Sequence, residues 1–122
     1  MELKRVVVTG IGALTPLGNT AEETWENIKA GKSGAGPITH FDASQFKTQF
    51  ACEVKGFNAA DHIDRKEIRK MDLYTQYALA AAQMAIADSG MDLETVDKNE
   101  IGVVLGVGIG GRGSGVLRDV DT

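Results

Sequence analysis

A chain of 122 residues with 43% apolar and 25% charged side chains is enough for one modest domain, and its composition is not that of a disordered segment. Its formal net charge of -4 is mild and argues against a nucleic-acid partner; an anionic partner would have to find a local basic patch. The single cysteine excludes an intramolecular disulfide and fits a reducing compartment, and no apolar run reaches signal-peptide or membrane-spanning length, so a soluble, cytoplasmic protein with no membrane contact is expected.

Arg5–Thr9 (RVVVT) is a continuous β-branched run bounded by Gly10 and Gly12, which is how a strand buried on both faces of a parallel sheet reads. A loop follows to Asn19, carrying Pro16 and Gly18. Thr20-Ala21-Glu22-Glu23 is a capping box that opens a helix, in which hydroxyl and carboxylate satisfy orphan amides reciprocally. Trp25 and Ile28, with Leu17, are expected on its buried side, and Gly31 ends it. Residues 32–48, punctuated by Gly34, Gly36 and Pro37, read as an irregular connection, and Phe50–Val54 as a short strand.

Asp64–Lys70 predicts a short charged helix, and Asp72 the cap of a long one over Leu73–Ser89, stopped by Gly90. Tyr74, Tyr77, Ala78, Ala81, Met84 and Ala85 share one face of it, and its many alanines let neighbours approach closely, as suits a helix buried in a layered core. Ile101–Leu105 (IGVVL) reads as a second buried strand running into the glycine cluster Gly106–Gly111. Strands alternating with helices give an α/β fold with mostly parallel strands.

Several patterns carry possible chemistry. Gly10-x-Gly12 follows a strand, but Thr15 stands where a dinucleotide fingerprint needs its third glycine and Pro16 where a helix should open, so a tight turn is the better reading. Gly106, Gly108 and Gly111 do fit GxGxxG, yet Arg112-Gly113-Ser114-Gly115 is too glycine-rich to seat a phosphate on a helix N-terminus. Close approach of a backbone or ligand competes there with a nucleotide-cofactor oxidoreductase. Arg65, Lys66, Arg69 and Lys70 put four cations on adjoining stripes of one short helix; from spacing alone, a solvated face offset by Asp61, Asp64 and Glu67 is the stronger reading. Cys52 lies mid-strand with neither a helix N-terminus nor a histidine to activate it, and is expected to be an inert core residue. His40 and His62 are too few and too isolated for a metal site, so no metal, no cofactor and no catalytic residue is assigned to this chain.

Taken in order, RVVVTGIGALTPLGN, ETWENIKAGKSG, ITHFDASQFKTQFACEVKGF, IDRKEIRKMDLYTQYALAAAQMAIADSG and IGVVLGVGIGG closely resemble the N-terminal part of the elongating, type II β-ketoacyl-acyl-carrier-protein synthases. The resemblance covers residues 3–111, whereas Arg112–Thr122 departs from the family pattern, so 112–122 is expected to be a divergent tail and the chain a fragment. The resemblance implies a partial N-terminal half of the thiolase-like fold, with mostly parallel strands and a buried Ala-rich helix. It implies condensation of an acyl thioester with malonyl-carrier protein in fatty acid elongation. That chemistry runs through an activated cysteine and two histidines, all downstream of anything present here. It also implies a homodimeric full-length parent, an acyl carrier protein partner docked by Lys66, Arg69 and Lys70, and Ile109 at the far end of the acyl pocket. Polyketide ketosynthases and chain-length-factor subunits share the pattern and remain alternatives.

Overall fold

Thr20 starts the first helix, α1 (Ala21–Lys29), in the computed structural model, which describes residues 1–111. Its hydroxyl accepts from the Glu23 amide at 3.1 Å, half of the expected capping box. The other half is displaced by one residue, since the Glu23 carboxylate accepts from the amide of Asn19, at 2.8 Å, and not from that of Thr20. At the far end Gly31 takes the left-handed conformation (φ +67°), where its amide donates to Ile28 O and that of Lys32 to Asn27 O, both at 3.0 Å. This double closure satisfies two orphan carbonyls and is why a glycine stands there.

The expected facing of α1 is reversed. Thr24 and Asn27 turn toward the loop before the helix: Thr24 shares a hydrogen bond with Thr15 at 2.9 Å, and the Asn27 amide donates to Leu17 O. Trp25 is 58% exposed, and Ile28 is exposed as well. The loop 15–18 closes on itself through paired Thr15–Gly18 backbone hydrogen bonds and offers the helix polar groups to meet, so its polar stripe is drawn inward.

The sheet is a two-stranded antiparallel ladder of β1 (Ala35–Pro37) and β2 (Phe50–Cys52), with Ala35 opposite Cys52 and Pro37 opposite Phe50. Gly36 and Pro37 hid β1 in the sequence; Pro is tolerated because an edge strand has one row of amides that needs no partner. Glu53, just after β2, ties that strand to the segment that follows β1. Its carboxylate accepts from the Thr39 amide at 3.0 Å and the Thr39 hydroxyl at 2.7 Å. The Lys55 ammonium, donating to Gly34 O and Glu53 O, ties the other strand in. Cys52, expected in a core, is exposed, because a two-stranded ladder leaves its faces uncovered.

α2 (Arg65–Ile68) and α3 (Leu73–Ser89) match their sequence signals, and Gly90 stops α3 in the left-handed region at φ 66°. Asp72 holds the N-cap position without donating or accepting a capping hydrogen bond; its carboxylate lies instead against Gly111. The backbone of Gly10 and Gly12 presses on α3 so closely that a Cβ at Gly10 would collide with Ala85 and Ser89, and one at Gly12 with Ala81 and Ala85. The Ile11 amide between them donates to the Asp88 carboxylate at 2.9 Å. The first G-x-G is thus a packing device, and the small residues of α3 are its counterpart.

Two expectations fail among the described residues. Arg5–Thr9 and Ile101–Leu105 form no ladder, and the only paired strands are antiparallel, so the mostly parallel sheet is not seen. Val6 is 89% and Val104 96% exposed. A β-branched run sets which side chains a strand would present, but its amides and carbonyls need a neighbouring strand, and none lies alongside. Nor is α3 buried on all sides: of its residues only Ala80 is buried, while Leu73, Tyr74, Leu79 and Ile86 are exposed. The expected tail, 112–122, lies outside the described residues.

Two measurements on the full-length protein check this account. Gly12→Ala should destabilise by about 1–3 kcal/mol, the usual overpacking range, while Gly36→Ala, with open space at its Cβ position, should stay within about 0.5 kcal/mol. Equal effects in denaturant titrations would refute the close-approach assignment. The hydrogen bonds from Thr39 hold the Glu53 carboxyl below its ordinary ionisation range. Because the folded value is the lower one, the stabilisation is complete above the unfolded value of about 4.3 and is lost as pH falls through the folded value. The stability gap between wild type and Glu53→Gln should therefore be flat at neutral pH and close in acid.

Candidate functional site

The charged helix α2 carries the strongest concentration of like charge in the chain. Asp64 fixes its start by accepting from the Lys66 amide at 3.0 Å. Its end is tied to α3, where the Gln76 side-chain amide donates to Met71 O at 3.1 Å. Ile68 is half-buried, whereas Arg65, Lys66, Arg69 and Lys70 all face solvent. The four cations do not form one set. Arg65, Lys66 and Arg69 line a single shallow depression; the Lys70 ammonium, in the turn just past the helix, is paired with the Glu67 carboxylate at 2.9 Å. Spacing alone groups them together and does not say which cation Glu67 takes.

The glycine cluster forms the wall of a second concavity. Tyr74, Thr75 and Ala78 of α3 face Leu105, Gly106, Val107, Gly108 and Gly110 across an apolar groove of about 270 Å³. Gly110 has φ +71° and lies in ordinary contact with the Tyr74 ring, and the close approach read for this cluster occurs at Gly111, against the Asp72 carboxylate. At Gly106 and Gly108 a Cβ would meet open space. Ile109 does not line the groove; its side chain is 81% exposed.

The remaining titratable groups are spread out. Within the described residues no three of His, Cys, Asp or Glu gather as a metal site would require, and no hydrogen bond joins Cys52 to a histidine. His40 lies 3.8 Å from Glu53, and His62 stacks on Phe57 at 5.9 Å between ring centroids. Phe57 in turn meets Tyr77 edge-on at 5.1 Å. Burial, with the Glu53 charge adding to it, pushes the Tyr77 hydroxyl up from its usual value. No described helix is long and apolar enough to cross a membrane.

The chain is similar to known proteins throughout its length. Residues 3–122 match the model of the β-ketoacyl synthase N-terminal domain. It is 48% identical over 122 residues to a 3-oxoacyl-[acyl-carrier-protein] synthase 2 of Synechocystis, covering 100% of this chain and 29% of that one. The synthase of the same name from Coxiella burnetii is 48% identical over 111 residues, covering 91% and 27%. Among solved structures, the ishigamide ketosynthase/chain length factor aligns with a TM-score of 0.67 at 40% identity, over 72% of this chain and 22% of that chain. A type II polyketide acyl-carrier protein in complex with its ketosynthase aligns with a TM-score of 0.56 at 26% identity, over 75% and 24%. The chain therefore has neighbours of the thiolase-like ketosynthase fold, and it spans less than a third of the length of the curated relatives it matches.

Proposed function

This chain belongs to the β-ketoacyl synthase family, and from that premise we propose that the whole protein is a 3-oxoacyl-[acyl-carrier-protein] synthase of fatty acid elongation. The observation that carries the reading is the 48% identity, across the entire chain, to a synthase of that name. In this reading the protein extends an acyl thioester by condensing it with malonyl-carrier protein. The cysteine that holds the acyl group and the two histidines that assist it belong to the remainder of the protein. What the present residues contribute is recognition and scaffold.

Recognition falls to α2. An acyl carrier protein partner is supported by the printed description of the polyketide neighbour, a ketosynthase held in complex with its carrier protein. Lys66, Arg69 and Lys70 are all exposed at one end of α3, as docking an acidic partner requires. Cations on an open rim steer approach and are screened by salt, so they act chiefly on association rate.

Scaffold falls to the two valine-rich stretches. In the complete fold Arg5–Thr9 and Ile101–Leu105 become strands of a mostly parallel sheet, which covers their exposed valines and buries α3. Ile109 would then face the end of the acyl pocket in a cytoplasmic homodimer. A polyketide ketosynthase or chain-length-factor subunit is the second reading, favoured by the two solved neighbours, whose identities of 40% and 26% are lower.

Residues 1–122 alone, given acyl- and malonyl-carrier protein, should release no β-ketoacyl product. Product that vanished in Cys52→Ala would instead make Cys52 a nucleophile. In the full-length protein Arg69→Glu should raise the KM for acyl-carrier protein about three- to tenfold at low salt, shrinking as salt rises. The KM for a carrier-free acyl thioester should not follow it. If both rose together, the patch would be a folding element and the docking assignment would fail.

A further inference from the structure

Asp72 stands where α3 begins and does not do what an aspartate usually does there. Its backbone carbonyl accepts from the amides of Thr75 and Gln76, at 3.0 and 3.1 Å, but its carboxylate accepts no capping hydrogen bond. A side chain at this position that turns away from the first-turn amides forgoes the stabilisation an N-cap gives. The carboxylate lies instead on the backbone of Gly111, so close that a Cβ there would fall on the carboxylate itself. One residue back, Gly110 is left-handed at φ +71° and faces the Tyr74 ring and the Val107 side chain. The end of the glycine stretch therefore meets the first turn of α3 at two points, Asp72 and Tyr74. Ile109 stands out from it, 81% exposed, and Gly108 before it has open space at its Cβ position.

Resting on the reading given above that Ile109 faces the end of the acyl pocket, we propose that Asp72 is a positioning residue for acyl-chain length. Seated on Gly111, its carboxylate stops the glycine turn at one place and so fixes where Ile109 stands. An isoleucine set among glycines needs such an outside stop, because their backbone is free to adopt many conformations and cannot by itself hold a wall still. The Tyr74 contact at Gly110 is of ordinary closeness, so the tight contact at Gly111 is the one that sets the position. The stop acts through shape: the space a side chain at 111 would need is already filled by Asp72. A wall that moves by about the length of one methylene changes which chains fit beneath it.

The test uses the full-length protein and measures kcat/KM for a long and a short saturated acyl thioester, both free of carrier protein, with malonyl-carrier protein as co-substrate. The ratio of the two values does not depend on how much of a preparation is folded, so a loss of stability at the start of α3 cannot imitate the effect. Asp72→Ala should move the ratio toward the long chain about three- to tenfold, and Gly111→Ala, which expels the carboxylate, should move it the same way. Asp72→Asn keeps the shape and should stay within about twofold of wild type. Adding Gly111→Ala to Asp72→Ala should change nothing further, because the methyl enters space the carboxylate has left. Effects of the two substitutions that multiply, or an Asp72→Asn variant as altered as Asp72→Ala, overturn the contact as the cause. Ile109→Phe separates this proposal from the reading beneath it, since added bulk at a pocket end should move the ratio toward the short chain. If Ile109→Phe leaves the ratio unchanged, the pocket reading falls. If Ile109→Phe shifts it while Asp72→Ala and Gly111→Ala do not, the pocket stands and the positioning role of Asp72 is overturned.

Discussion

The contact on which the described structure turns is the passage of the Gly10–Gly12 backbone over the small-residue side of α3. Peptide groups reach Ala81, Ala85 and Ser89 at a separation that leaves no room for a Cβ, and Asp88 fixes the height by accepting from the Ile11 amide. Everything N-terminal is placed by that crossing: the closed loop at Thr15–Gly18 follows from Gly12, and α1 is seated on the loop by Thr24 and Asn27. A run of alanines along a helix buries little area per residue, so its use here is proximity. Only a glycine backbone and a thin helix together allow it.

The same long helix anchors the charged one. Gln76 in the first turns of α3 ties down the carbonyls of Ile68 and Met71, fixing the orientation of a helix too short to hold itself. Four cations on so small an element repel one another, and the structure meets that cost by pairing one of them with Glu67 and leaving three toward water. A patch arranged in this way costs little to keep and leaves three cations exposed. The apolar groove between Tyr74, Thr75, Ala78 and the 105–110 stretch lies against the same helix, so the charged patch and the groove share one support.

Local signals in the sequence were reliable wherever the physics is local. α3 begins and ends on the residues its Asp and Gly predicted, and the left-handed Gly31 and Gly90 close their helices as the pattern required. Asp64 caps α2 through a bond within two residues. β1 escaped notice because Gly36 and Pro37 argue against a strand, and only the partner at Phe50–Cys52 makes them one. Trp25 and Ile28 failed for the opposite reason, since helical periodicity identifies an apolar stripe without saying what stands opposite it.

The amino-acid sequence by itself determined the helices, their caps, the basic cluster and the family to which the chain belongs, because each rests on neighbours a few residues apart or on the order of many such segments. Tertiary structure alone decided which glycines pack and that Cys52 faces water. It also decided that the valine-rich runs Arg5–Thr9 and Ile101–Leu105 stand without a ladder among the described residues. Those outcomes depend on groups far apart in the chain. Ladder hydrogen bonds, ion pairs and backbone clearances are properties of two segments meeting, and neither segment encodes the meeting alone.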